Sequence, residues 1–226
     1  MSETLIKENF EGVLSPKKID EILNRRKFQL IIKRGFDIVV SFIGLLILLP
    51  IFLIVAIIIK LDSKGPIFFR QVRVGKNGKE FKIFKFRTMV VDAEEKGMQI
   101  TVDGDSRITK PGNFLRRSKI DELPQLINVL IGDMSFVGPR PEVPKYVAMY
   151  DENQRSILKI RPGITDIASI EYRDENSILA QSKNPEEAYI NEIMPRKIEL
   201  NFKYIENMSV IYDIKLIIET IFKVIK

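Results

Sequence analysis

The chain has 226 residues and a formal net charge of +6, and it contains no cysteine, histidine or tryptophan. That length is enough for one domain of ordinary size with a true core. The missing residue types exclude disulfides, Ser-His-Asp triads, Cys-His pairs and histidine metal sites, so any chemistry has to run on carboxylates, Lys, Arg, hydroxyls, backbone groups and hard cations.

Residues 1–15 are polar and without clear pattern. Ser15-Pro16 is an N-cap followed by proline at the first helical position, which predicts a helix from Pro16 towards Lys33. Its Ile22, Leu23, Phe28, Ile31 and Ile32 among many basic residues suit a helix lying on a membrane surface or packed on the domain.

Ile38 to Ile59 then runs for 22 residues without a charge, and 18 of them are Ile, Leu, Val or Phe. At roughly −0.3 to −0.6 kcal/mol for each, insertion gains about 5 to 11 kcal/mol. As a helix the run is roughly 33 Å long, the thickness of a bilayer core. It begins too late and runs too long for a signal peptide. Pro50 near its middle removes one helical hydrogen bond and allows a sharp bend. Both flanks are basic, with Arg25, Arg26, Lys27, Lys33 and Arg34 before and Lys60, Lys64, Arg70 and Arg73 after. A single crossing would leave one basic flank outside, against the positive-inside tendency. A helix that dips in, bends at Pro50 and returns is therefore favoured over a proline-kinked transmembrane helix.

Lys60 to Val90 carries nine Lys or Arg against two acids, which points to an anionic partner. Within it, "IFFRQVRVGKNGKEFKIFKFRTM" reads as a β-hairpin turning at Asn77-Gly78. Its interleaved aromatic and basic residues also occur in nucleic-acid binders. Beside a membrane segment, lipid headgroups and a phosphorylated substrate are the favoured partners, and nucleic acid is not expected. Residues 92–113 read mainly as loop. A helix is expected from about Asp121 to Ile131, stopped by Gly132, with Leu123, Leu126, Ile127 and Leu130 as its buried stripe. Further helices are expected near Lys145 to Leu158, after Asn184-Pro185, and from about Tyr212, where Ile214, Ile217, Ile218 and Ile221 have helical spacing.

The stretch "SKIDELPQLINVL" places Asp121 and Glu122 just ahead of Pro124, hence at a helix N-terminus. Two readings stand there. The acids are ordinary capping residues, or Asp121 is an ionised nucleophile or hard-metal ligand for phosphoryl chemistry. "GPRP" (Gly138 to Pro141) holds Arg140 between two prolines, either as a phosphate grip or as an exposed surface turn.

Together these pieces resemble the bacterial sugar transferases, the small monotopic polyprenol-phosphate phosphoglycosyl transferases. "FDIVVSFIGLLILLP", "GPIFFRQVRVGKNGKEFKIFKFRTM", "LRRSKIDELPQLINVLIGDMSFVGPRP" and "RPGIT" stand here in that family's order, from about Lys33 to the C-terminus. The resemblance implies transfer of a sugar 1-phosphate from a UDP-sugar to undecaprenyl phosphate, with release of UMP and dependence on Mg²⁺. It implies that Asp121 is the nucleophile, forming a covalent phosphosugar-aspartate, and that Glu122 assists. Arg116 and Arg140 are expected near the phosphates, with Lys85 and Arg87 as further contributors. Arg173 falls at the family's arginine twelve residues past the start of "RPG", linked to nucleotide-sugar binding. The implied fold is α+β and helix-rich: an N-terminal extension over 1–32 with an amphipathic helix, a re-entrant membrane helix over 33–61 broken at Pro50, and a cytoplasmic catalytic domain over 62–226. The implied location is the bacterial inner membrane, with membrane lipids as partners; a homodimer is compatible with this. Where the family often reads "RPGITGLAQVNGR", this chain reads "RPGITDIASIEYR", and Asp166, Ser169 and Glu171-Tyr172 leave the sugar's identity open. Two other readings remain: direct attack by the lipid phosphate with Asp121 only as metal ligand, and a non-catalytic, membrane-anchored basic module.

Overall fold

The computed structural model describes residues 13–93, 101, 104–172 and 174–225. It opens with helices α1 (Pro16–Arg25) and α2 (Lys27–Asp62). Ser15 caps α1 by accepting from the Lys18 amide at 3.3 Å. Arg26 leaves the helical conformation, and its guanidinium donates to the carbonyls of Glu206 and Met208. That contact ends α1 eight residues before Lys33 and starts α2 six residues before the expected membrane helix.

The second helix is long and apolar enough to cross a membrane. It is also continuous: Pro50 lies inside it and the helix runs on past that residue to Asp62. The expected break is thus no interruption of the helix. A proline deletes one hydrogen bond, and the flanking turns hold the rest. Before Pro50, Arg34 donates to the carbonyls of Val129 and Leu130, while Asp37, only 2% exposed, accepts from the Ser135 hydroxyl and the Phe136 amide, both at 3.1 Å. A Cβ on Gly44 would lie 3.3 Å from Leu126. After Pro50, Phe52 meets Phe86 edge-on at 5.2 Å, and Val55 and Ile59 share an apolar cluster with Phe86 and Leu115. Both halves of α2 therefore pack on one body. Its other face, with Leu46, Ile47, Leu53, Ile54, Ile57 and Leu61 more than half exposed, points away from the described body.

Strands β1 (Phe68–Phe69), β2 (Val72–Val74), β3 (Glu80–Lys82) and β4 (Lys85–Phe86) form the expected hairpin, with β2–β3 in the register Val74↔Glu80 and β1–β4 continuing it. Asn77 and Gly78 turn it with φ of 58° and 75°, the left-handed pair such a turn needs. Part of the expected 92–113 loop is helix α3 (Lys110–Arg117), because the Thr109 hydroxyl accepts from the Gly112 amide and overrides the Pro-Gly signal. Residues 94–100, 102 and 103 lie outside the described residues.

Helix α4 (Gln125–Ile131) is followed by β5 (Ser135–Val137), which pairs in parallel with β6 (Gly163–Thr165). A Cβ on Gly138 would sit 2.4 Å from the Arg161 carbonyl, and one on Gly163 would sit 2.2 Å from the Gly138 nitrogen. Only glycines admit this approach, which joins the "GPRP" and "RPG" turns. The helix expected over 145–158 is instead α5 (Pro144–Val147), α6 (Glu152–Arg155) and a 3-10 turn, because Asp151 and Gln154 form a capping box that starts the chain afresh. Short helices α7 (Ile167–Glu171), α8 (Glu175–Ala180) and α9 (Pro185–Ala188) lead into α10 (Met194–Asn207), whose Ile198, Phe202, Tyr204 and Ile205 are the centre of the core. The last helix, α11 (Val210–Ile225), buries Leu216 and leaves Ile214, Ile218 and Ile221 exposed. Lys33 pairs with Asp213 at 2.5 Å, tying α11 to α2.

Candidate active site

The acid pair is not in the first turn of α4. Helix α3 ends at Ser118, Lys119 takes a left-handed conformation (φ 56°), and Ile120–Glu122 form a tight 3-10 turn. Pro124 then serves as the N-cap position of α4, with no side chain capping that helix. The turn is closed by Glu122 N–H donating to Lys119 O and Leu123 N–H donating to Ile120 O. Neither carboxylate caps a helix, so the capping explanation for the pair falls away, and so does support from the dipole of α4. The buried face of α4 is also shifted: Gln125, Leu126, Asn128 and Val129 are buried, whereas Leu123, Ile127 and Leu130 are half-buried. Asn128 faces the hairpin, accepting from the Phe84 amide and donating to Lys82 O.

Glu122 gathers two of the anticipated cations. Its Oε1 lies 2.9 Å from Lys85 Nζ at the end of the hairpin and 2.5 Å from the Arg140 guanidinium, and its Oε2 takes a second, longer bond from Arg140 at 3.4 Å. Asp166 positions that arginine from behind. Its Oδ2 accepts the Arg140 amide at 3.1 Å, while its Oδ1 accepts the Ser169 amide at 2.6 Å and caps α7. The sequence marked Asp166 only as a departure; its signal was an N-cap residue opening "DIAS".

Asp121, 6% exposed, makes no such pairing, and its Oδ1 is buried with no hydrogen-bond partner. Burial, then the Glu122 charge, push its carboxyl up to about 6, against the pull of Lys85, Arg116 and Lys119. Burial also pushes Glu122 up, but Arg140 and Lys85 more than offset it and hold that carboxyl well below the usual range. Lys85 is itself pushed down by burial, with Glu122 opposing. The two adjacent acids are thus driven apart: one is locked as an anion between cations, the other is a desolvated carboxylate with a raised proton affinity.

The remaining candidates fall in different places. Arg116 is half-buried in the last turn of α3, within electrostatic reach of Asp121. Arg87 is not at the site: it is buried and caps the end of α2, donating to the carbonyls of Ile59, Ser63 and Lys64. An apolar helix end needs those carbonyls satisfied, and a guanidinium can satisfy several at once. Arg173 lies outside the described residues. Among the described residues no three acidic side chains gather, so there is no all-protein metal cage. The bare Asp121 Oδ1 is nevertheless the kind of oxygen ligand Mg²⁺ takes when substrate phosphates and water complete its shell.

The sequence pattern of the family described as bacterial sugar transferase matches residues 28–226. The chain belongs to this family. It is similar to the UDP-glucose:undecaprenyl-phosphate glucose-1-phosphate transferase of Escherichia coli K12, at 40% identity over 201 residues, covering 85% of this chain and 40% of that protein. It is 36% identical over 226 residues to the UDP-N-acetylgalactosamine-undecaprenyl-phosphate N-acetylgalactosaminephosphotransferase of Aeromonas hydrophila, covering 96% of this chain and 50% of that one. The exopolysaccharide production protein PSS of Rhizobium leguminosarum bv. phaseoli is 40% identical over 201 residues, with 85% and 94% covered. The sugar transferase chain thus spans half or less of the first two relatives and nearly all of the third.

The Asp121 environment sets a sign for stability. Its folded value, about 6, lies above the ordinary 3.8, so the fold favours the protonated acid. The stability this gives is complete below pH 3.8 and is lost as the pH rises through 6; above that, the buried charge is worth about 3 kcal/mol of destabilisation. Asp121→Asn is therefore expected to raise the thermal midpoint at pH 8, with the gain shrinking towards pH 4. A midpoint at pH 8 equal to or below that of the parent would show that Asp121 is not a desolvated carboxylate.

Proposed function

We propose that this sugar transferase moves a sugar 1-phosphate from a UDP-sugar to undecaprenyl phosphate, releasing UMP, as the initiating membrane step of a bacterial surface polysaccharide or glycan. The observation that carries the reading is the unpartnered, desolvated Asp121 carboxylate beside a Glu122 that is held ionised. The reactions printed in the names of the Escherichia and Aeromonas relatives support it.

An Asp121 oxygen attacks the phosphorus that bears the sugar. The bond from that phosphorus to the bridging oxygen breaks, and UMP leaves with the electron pair. The enzyme then carries a phosphosugar-aspartate, a mixed anhydride. An oxygen of undecaprenyl phosphate attacks the same phosphorus, the anhydride bond breaks, and Asp121 regains its carboxylate. With a pKa of about 6, Asp121 is mostly the carboxylate at neutral pH, so no separate base is required. Glu122 holds Lys85 and Arg140 in place at the phosphate end of the site. Arg116 and Lys119, which make no side-chain hydrogen bond or ion pair among the described residues, are available to the diphosphate. Mg²⁺ belongs to the proposal: Asp121 would hold it, and it would supply neutralisation of phosphate charge.

The same reading puts the chain in the bacterial cytoplasmic membrane as a monotopic protein, with the catalytic body on the cytoplasmic side. Contacts from both halves of α2 to one body support this, because a helix crossing the bilayer would carry one of its ends away from that body.

Two tests follow. With Mg²⁺ and no lipid acceptor, labelled UMP is expected to exchange into the UDP-sugar, and Asp121→Asn is expected to abolish that exchange by more than about 10³-fold. Turnover with undecaprenyl phosphate but no exchange in its absence would favour direct transfer. The chain has no cysteine of its own, so single cysteines at the exposed positions Lys17 and Lys79 report topology cleanly. Both are expected to be shielded from an impermeant maleimide added outside the cytoplasmic membrane; reaction at position 17 alone would make α2 a crossing helix.

A further inference from the structure

Sequence pattern alone puts Arg73 in the basic flank of the apolar run, but the fold turns it inward. Arg73 lies on β2, opposite Phe81 in the hairpin, and its guanidinium reaches the "GPRP" turn: Nη1 donates to Pro141 O at 3.0 Å and Nη2 to Gln71 Oε1 at 2.6 Å. Its Nε is buried with no hydrogen-bond partner. Among the described residues no carboxylate forms an ion pair with it. Glu142, the acid that acts on it most strongly, is engaged elsewhere: its Oε1 accepts from the Tyr189 hydroxyl and its Oε2 from the Val143 amide. Burial pushes the proton affinity of Arg73 down, Glu142 opposes, and the charge of Arg140 adds to the fall. Lys85, pushed down first by burial, also feels Arg73. Three cations thus crowd Glu122, which pairs with two of them. A desolvated cation without a paired acid is expensive in the free protein.

The turn needs such a donor. Pro139 and Pro141 bring no amide hydrogen, so over these three residues only Arg140 offers one, and the carbonyls have to be held from outside. Asp166 takes the Arg140 amide, the Gly163 amide donates to Pro139 O at 3.0 Å, and Arg73 donates to Pro141 O. One residue on, the Val74 amide donates to Glu142 O at 2.8 Å, so β2 grips the far end of the turn with two consecutive residues. Arg140 is therefore fixed from the Asp166 side and from the hairpin side at once.

We propose that Arg73 is a positioning residue for the donor's diphosphate: it fixes the Pro141 end of the turn, sets the Arg140 guanidinium against Glu122, and adds its own unpaired charge to the field that meets the phosphates. The inference rests on the transfer reaction proposed above. A neutral donor would hold the Pro141 carbonyl at less cost to the free protein. With a diphosphate bound, the repulsion among Arg73, Lys85 and Arg140 is offset, and the charge that burdens the free site favours the occupied one. Arg73 works through Arg140 and touches no reacting atom.

The test uses the full chain in detergent with Mg²⁺, undecaprenyl phosphate and a panel of UDP-sugars. Arg73→Met keeps most of the volume and removes both the hydrogen bond and the charge. Per folded molecule it is expected to lower kcat/KM for the preferred donor about 10- to 100-fold. Arg73→Lys keeps the charge and one donor group without the planar fork, and is expected to recover to about threefold below the parent. A merely structural arginine would move the thermal midpoint and leave the kinetics of the folded molecules alone. Folded R73M with kcat/KM within about twofold of the parent overturns the proposal, and so does a folded R73K as slow as R73M. Should R73M not fold, R73K decides: a loss of about threefold or more supports the proposal, and parent kinetics overturn it. Failure of both variants to fold makes Arg73 a structural residue and overturns it as well. A parent that transfers nothing from any UDP-sugar overturns the reaction itself, a result distinct from the others.

Discussion

The Glu122 carboxylate lies between the Lys85 ammonium and the Arg140 guanidinium, and each of the three arrives from a different part of the chain. Buried charges of this kind stand or fall together, because removing one leaves the others without compensation. The hairpin brings Lys85, the close approach of β5 and β6 at two glycines brings Arg140, and the turn between α3 and α4 brings the acids. Asp166 then fixes the Arg140 backbone. The result at Asp121 is indirect. Burial and then the ionised neighbour raise its proton affinity, and the surrounding cations stop that rise near 6. A carboxylate there is both mostly ionised at neutral pH and poorly solvated, which is what an attack on phosphorus needs.

Helix α2 is built into the same body. Arg34 caps the end of α4, Asp37 holds the start of β5, and Arg87 closes the far end of α2. The acid turn, α4 and the membrane-seeking helix therefore form one unit, tied by direct contacts. In the proposed reaction this lets a water-soluble donor and a lipid-borne acceptor use one carboxylate in turn.

Short-range chemistry was legible in the sequence. The Asn77-Gly78 turn, the Ser15-Pro16 and Asn184-Pro185 helix starts, the apolar run and the amphipathic tail depend on neighbours a few residues away, and each appears in the structure. Local pattern left the acid pair and Arg140 open between capping or turn residues and a site; the family resemblance singled them out, and the fold brings Glu122 and Arg140 together. What the sequence hid was long-range choice. Arg87 and Lys85 are both basic residues of the hairpin region two positions apart, yet one caps α2 and the other pairs with Glu122. One continuous helix over 145–158 passes over the Asp151-x-x-Gln154 capping signature in its middle, which restarts the chain there. Pro124 was read as the first helical turn, but a 3-10 turn ahead of it holds the acids by backbone bonds that any side chains allow.

The most direct measurement is the intact mass of the purified protein after incubation with Mg²⁺ and a panel of UDP-sugars, with no lipid acceptor present. The account predicts a phosphosugar adduct, located by fragmentation at Asp121 and absent from Asp121→Asn. No adduct with any donor, in a preparation that turns over once undecaprenyl phosphate is added, would contradict the covalent role of Asp121.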